Sequence, residues 1–427
     1  MLRAGMARLT DRISELVLHN YLTTDYNGTA LSELPGQLDS PPGFVSCAVK
    51  QLLSRGSVTA IFGDIHPNPA IKALQDEPKR VMLRKFASPQ KRRYAYIYPS
   101  VALLRRRVDR SQYQRRPFTL RLALGAPQLT YLAFDPAVLE IYRNDPRYLY
   151  RAPIVVGSVS IHDDYYRSRR IRKDDKILIK SFGLCFNART REPVVAAFLY
   201  DLARLPPRHQ TWWEMQLSHG RFRIHPAYWR WANGHFPNSI SVLEAIPSLI
   251  ELLNQYSAAI GHPPLFREEF KETPPEYGWL LRPTQREFNG FADLLDKMLG
   301  ENINVRFFRG EIKTEELEKR RNGTIVAKRK WKPHLLEEWL SKHYTGRDMP
   351  WKDAMQTIRD IRELRNAPAH ANQPNAYDTR LIAQQRAIVA AAFRALTDLC
   401  DIIATHPDTR NVRPPRWMEL RHPVLPQ

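Results

Sequence analysis

Apolar positions recur at helical spacing over the first fifty-five residues. Leu9, Ile13, Leu16, Val17 and Tyr21 predict one helix, and Val45, Ala48, Val49, Leu52 and Leu53 a second over about 44–55, closed at Gly56. The period then shortens, and the alternation over 57–62 predicts a strand. Short β-rich stretches at 129–134, 154–161 and 176–182 predict further strands. A Trp-rich helix starts after Pro206-Pro207, and Leu243, Ile246, Ile250 and Leu253 mark another that ends before Gly261. Thr284-Gln285-Arg286-Glu287 forms a capping box, with Thr at the N-cap and Glu at the third helical position. It opens a helix whose Phe288, Phe291, Leu295, Met298 and Leu299 share a face, closed by Gly300. Helices are expected over 334–343, 351–366 and 378–403, the last with a stripe from Leu381 to Ile403.

These elements predict a multidomain α+β chain. Helix, glycine and short strand in that order resemble a winged helix, so 1–75 is read as a winged-helix-like domain. A basic segment follows at 76–121 and a mixed α/β domain at 122–261. The proline-punctuated stretch 262–283 is the last boundary, and an α-helical bundle occupies 284–410. The clustered aromatics Trp212, Trp213, Tyr228, Trp229 and Trp231 are read as core.

Composition narrows the function. The 427 residues carry 65 Lys+Arg against 44 Asp+Glu, a net charge of +21, while 43% hydrophobic residues exclude general disorder. No run reaches the roughly 18–20 apolar residues of a membrane span, and the N-terminus has no secretory apolar core, so no membrane partner is expected. Cys47, Cys185 and Cys400 lie far apart, which argues for a reducing compartment and cytoplasmic location. Between 79 and 121 stand fourteen Lys/Arg and one acid, Asp109. Phe86, Tyr94, Tyr96, Tyr98, Tyr113 and Phe118 are interleaved with them. Clustered cations neutralise phosphates and aromatic faces stack on unpaired bases. Lys91, Arg92, Arg93, Arg105, Arg106, Arg107, Arg115 and Arg116 are therefore candidate nucleic-acid contacts. A second cluster, Lys328, Arg329 and Lys330 beside Trp331, follows a predicted hairpin turn at Asn322-Gly323. The smaller cluster at 167–173 adds to the same picture.

Gly63-Asp64-Ile65-His66 resembles the strand-end Asp-x-His of calcineurin-like metallophosphoesterases, but the later ligand elements of that family are missing, and it reads as a turn. His162-Asp163-Asp164 has no partner at a recognisable spacing. Phosphate-loop, nucleophile-elbow and Cys/His zinc patterns do not occur, so no metal and no cofactor is expected.

The remaining constellation is Arg365-Asn366-Ala367-Pro368-Ala369-His370. On an unbroken helix Arg365 and His370 would sit about 140° apart. Pro368 breaks that geometry and lets His370 return beside Arg365. A guanidinium can hold a phosphate, and a histidine near neutrality can move protons to or from a 2′-hydroxyl or a leaving oxygen. Asn366 can orient the imidazole. These residues match the Arg-polar-x-x-x-His signature of HEPN domains, and the bundle at 284–410 is similar to the setting in which that family carries it. The resemblance implies a metal-independent endoribonuclease of antiviral defence, of abortive-infection, toxin–antitoxin or CRISPR-associated type. It implies catalytic roles for Arg365, Asn366 and His370, RNA as substrate, and a homodimer in which two sets share one cleft. The alternatives are a non-catalytic nucleic-acid-binding subunit of a ribonucleoprotein complex and a winged-helix DNA-binding regulator. The basic block fits all three.

Overall fold

The computed structural model describes residues 2–63, 78–235, 239–319, 325–345, 349–366, 375–422 and 424–425. They fall into two units, Met1–Tyr148 with Val159–Cys185 and Val194–Ile224, and Leu149–Ser158 with Phe186–Pro193 and His225–Gln427. The chain is mixed α/β, with its longest run of helices towards the C-terminus.

In the first unit, helices α1 (Leu2–Thr23) and α3 (Pro42–Arg55) follow the apolar stripes that predicted them, and a short helix the spacing did not predict, α2 (Leu34–Leu38), buries Leu34 and Leu38. All five positions expected to face inward on α3 are buried. Gly56 ends α3 at φ +74°, a conformation that only glycine adopts without strain. Three strands complete this part: β1 (Thr29–Ala30), β2 (Val58–Phe62) and β3 (Ala95–Pro99), antiparallel in the order β1-β3-β2. Ala60 lies opposite Ile97 in that register. The middle strand thus comes from the stretch read as a separate basic segment. Helix α4 (Lys79–Ala87) also joins the same core, through Met82 and Phe86.

Beyond these lie α5 (Val101–Arg107), α6 (Pro117–Ala123) and α7 (Pro207–Met215). A six-stranded sheet is built from β4 (Tyr131–Phe134), β5 (Tyr148–Arg151), β6 (Gly157–Ile161), β7 (Leu178–Asn187), β8 (Pro193–Phe198) and β9 (Phe222–Ile224). Its order is β4-β8-β7-β6-β5, with β9 paired to β7 off that path. The three strands expected here are β4, β6 and β7 with shifted ends. Trp213 is fully buried and meets the Phe134 ring edge-on at 4.8 Å. Tyr228 is buried too, but Trp229 and Trp231 are exposed, so the aromatic cluster is only partly core.

In the second unit β10 (Ile240–Ser241) precedes α8 (Val242–Ala259) and pairs in parallel with β13 (Val424–Leu425). A capping box between Ser241 and Glu244 starts α8. Helices α9 (Gln285–Met298), α10 (Lys332–His343), α11 (Pro350–Asn366) and α12 (Arg380–Ile403) follow. Packing pairs α8 with α12, α12 with α11, and α11 with both α9 and α10. The bundle therefore includes α8, which the sequence pattern assigned to the middle domain. Residues 262–283, read as a boundary, lie inside this unit. The buried Tyr277 hydroxyl donates to the Leu243 carbonyl at 3.1 Å. The buried Gln385 side chain accepts from Leu280 N at 2.8 Å and donates to the Gly278 carbonyl at 3.0 Å. Between α9 and α10, antiparallel strands β11 (Glu315–Lys319) and β12 (Ile325–Arg329) flank Asn322-Gly323, whose turn lies outside the described residues.

Candidate functional site

Helix α11 packs Met355, Ile358 and Ile361 into the bundle and carries Arg365 and Asn366 in its last turn, with Arg362 just before it. Cations suit that end, where the unpaired carbonyls carry partial negative charge. The Arg365 guanidinium is gripped by three carboxylates. Its Nε lies 2.9 Å from Asp293 Oδ1 and its Nη1 donates to Asp296 Oδ2 at 2.8 Å and to Glu301 Oε1. Arg362 Nη1 stands 3.8 Å from both Asp296 and Glu301, with its guanidinium 5.2 Å from the centre of the Trp331 ring.

Asp296 is the centre of this network. Its side chain is fully buried, and Oδ1 has no hydrogen-bond partner among the described residues. A Cβ at position 300 would lie 2.7 Å from that oxygen, so glycine there leaves the carboxylate its space. Burial raises the Asp296 pKa against the opposing pull of Arg365 and Arg362. Glu301 is lowered, chiefly by its hydrogen bond from Arg365. The sequence reading missed these partners. The available signal was an acid at 296, four residues after Ala292, on the buried face of α9.

Asn366 is exposed at the end of α11. Pro368 and His370 lie outside the described residues, as does Asp64-Ile65-His66. The structure thus places Arg365 and Asn366 together at one helix end and surrounds the first with acid. His162 caps a short exposed helix, Asp163–Arg167.

The basic block of the first unit separates into two faces. On α4, Met82 and Phe86 point inward while Lys79, Arg80 and Arg84 are exposed. Lys91 and Arg93 follow exposed, and Arg92 half-buried. Arg105, Arg106 and Arg107 occupy the last turn of α5, and Arg115 and Arg116 are exposed beyond it. Arg121 pairs with Glu214 at 2.9 Å and Arg107 with Glu15 at 3.3 Å. Among the described residues, Lys91, Arg92, Arg93, Arg105, Arg106, Arg115 and Arg116 have no carboxylate within 4.0 Å. The interleaved aromatics mostly turn the other way: Phe86, Tyr98 and Phe118 are core, leaving Tyr94 exposed beside Arg93. The alternation expected to stack bases is largely a strand and helix pattern that builds this core. On α3 the exposed side is poor in charge, with Lys50 and Arg55 its cations.

The second cluster is divided. Lys328 and Arg329 are exposed on β12, while Lys330 Nζ is neutralised by Glu338 at 2.8 Å. Compared with protein-family models, curated proteins and solved structures, the chain matches none. No helix among the described residues is long and apolar enough to cross a membrane.

Proposed function

We propose that this chain binds RNA through the basic face of its first unit and cuts it with Arg365, Asn366 and His370. The observation that carries the binding half is the set of cations from Lys91 to Arg116 that no carboxylate neutralises among the described residues. Such charges are costly to gather and gain when phosphates displace their counterions. The run α1-β1-α2-α3-β2 and the sheet order β1-β3-β2 support a winged-helix-like reading of the N-terminal part, with α4 inserted between β2 and β3. The basic residues then belong to the connection between β2 and β3 and to the helix after β3. Contact through that side is favoured over contact through α3.

The cutting half rests on the HEPN-like signature at 365–370 and on the place of its first two residues, Arg365 and Asn366, at the end of a bundle helix. In this scheme His370 takes the proton of a 2′-hydroxyl. The 2′-oxygen forms a bond to phosphorus, the bond to the 5′-oxygen breaks, and a proton returned to that oxygen completes the step. The products are a 2′,3′-cyclic phosphate and a 5′-hydroxyl end. Arg365, aligned by its carboxylates through Nε and Nη1, offers its guanidinium to the charge that develops on the phosphoryl oxygens. Asn366 orients the imidazole. The family parallel adds a second copy across the cleft and a role in antiviral defence. The test is incubation of wild type and His370→Ala with end-labelled single-stranded RNA and matching DNA in chelator. RNA cleavage by wild type alone supports the assignment. Cleavage by both proteins overturns it.

One observation favours a second reading, a non-catalytic RNA-binding subunit. Three carboxylates compensate Arg365, as in a structural ion-pair network. That reading predicts salt-sensitive RNA binding without turnover, in wild type and His370→Ala alike.

A further inference from the structure

The second unit holds a cavity of about 510 Å³ that the cleavage scheme does not use. Its walls come from four places: the segment after α8, the turn Val305–Phe308, the foot of the β11–β12 hairpin and the start of α10. They contribute Arg267, Arg306, Arg309, Arg329, Lys330 and Lys332, against one acid, Glu315. Ile303, Val305 and Leu335 supply an apolar floor.

Most of this charge is unspent. Lys330 is held by Glu338. Arg306, Arg309 and Arg329 are exposed and have no carboxylate within 4.0 Å among the described residues. Although Glu315 and Arg329 are register partners at the foot of the hairpin, they form no ion pair at that distance. Arg267 Nη2 donates to the Glu301 carbonyl at 2.6 Å, and Lys332 Nζ donates to the same oxygen. Neither cation has a carboxylate within 4.0 Å among the described residues, and Glu301 and Asp296 attract Lys332 only from further off. Burial, and then the nearby Arg267, lower the Lys332 pKa. Outside the cavity, Arg365 and Arg359 of the same unit are each met by acids. Like charges converging from separate segments on a concavity focus a positive potential there, which an anion offsets. The volume falls in the range of small-molecule sites, roughly 300–1,000 Å³. Guanidinium groups suit phosphate oxygens, which they can bind in pairs.

We propose that this cavity binds a ligand carrying several phosphates, of the size of a nucleoside triphosphate. The inference stands apart from RNA cleavage and survives its failure. The phosphates could belong to a free nucleotide or to an RNA end, and competition distinguishes these sources.

The experiment is calorimetric titration of the full chain with ATP, inorganic triphosphate and adenosine at low salt. The proteins are wild type, Arg306→Ala/Arg309→Ala, and Arg105→Ala/Arg106→Ala as a control for the other basic face. We expect ATP and triphosphate to bind wild type and adenosine not to bind. The Arg306/Arg309 variant should bind at least tenfold more weakly, and the Arg105/Arg106 variant as wild type does. Competition by RNA bearing a 5′-triphosphate, but not by 5′-hydroxyl RNA of the same sequence, would assign the phosphates to an RNA end. Failure of both RNAs to compete would leave the free nucleotide. No binding by triphosphate or ATP, or binding unchanged in the Arg306/Arg309 variant, overturns the proposal. The substituted arginines are exposed and without carboxylate partners among the described residues, so folding should be retained, which far-ultraviolet circular dichroism checks.

Discussion

Replacing Arg365 with alanine tests the carboxylate network and warns against using that variant alone as a probe of catalysis. The change strips Asp296, Asp293 and Glu301 of their shared guanidinium. Removing one partner of a buried pair costs about 3–5 kcal/mol, because the other charge is left buried. Only Asp296 is fully buried here, and Arg362 remains 3.8 Å away to relieve it. The expected loss from that arm is therefore about 2–3 kcal/mol, with the two more exposed arms adding a few tenths each. The pH dependence gives the reasoning its sharper edge. Asp296 already has a raised pKa from burial, and without Arg365 it rises further. A carboxyl raised in the folded state favours folding below its unfolded value near 3.9, and that advantage disappears as pH rises through the folded value. Glu301 adds a part of the deficit that is present at both pH 7.5 and pH 4.5, so the narrowing belongs to Asp296. The lowered pKa of Glu301 gives wild type stability above about pH 4.3 that is lost on acidification, and the variant lacks it. The deficit should thus be greatest near pH 7.5 and narrow by pH 4.5. Urea unfolding at both pH values measures it, with Asp296→Asn added to Arg365→Ala expected to recover at least half the loss. A deficit below about 1 kcal/mol, or one equal at both pH values, would refute the network as described.

Other outcomes follow from particular contacts. Gln385→Leu keeps the volume but abandons Leu280 N and the Gly278 carbonyl, so urea midpoints should report a loss of about 2–4 kcal/mol. Gly56→Ala meets no atom within 4 Å of the new Cβ, and the positive φ alone should cost about 1 kcal/mol in thermal melts. Arg105→Ala/Arg106→Ala should flatten the salt dependence of single-stranded RNA binding by about 1.4 in log–log slope, near 0.7 for each lost phosphate contact. An unchanged slope would move the interface elsewhere. His370→Ala should abolish RNA cleavage and leave the binding isotherm in place.

Helices and their ends were readable from sequence because they depend on neighbours three or four residues away. The α3 stripe, the αL glycine at 56 and the Thr284 cap all stand where spacing put them. The antiparallel pairing of β11 with β12 is in keeping with the turn expected at Asn322-Gly323, which itself lies outside the described residues. Boundaries were not readable. No short-range signal says that β3 fills the space between β1 and β2, that Tyr277 and Gln385 tie 262–283 into the bundle, or that α8 lies against α12. Those are long-range pairings, chosen by which apolar faces and buried polar groups satisfy one another. The candidate chemistry divides along the same line. The charge density of 79–121 and the Arg365–His370 pattern belong to the sequence. That Phe86, Tyr98 and Phe118 turn inward, that three acids more than sixty residues away close on Arg365, and that Arg267 and Arg329 line one cavity were decided only by the tertiary structure. Electrostatic energy depends on distance through space, and chain spacing does not encode it.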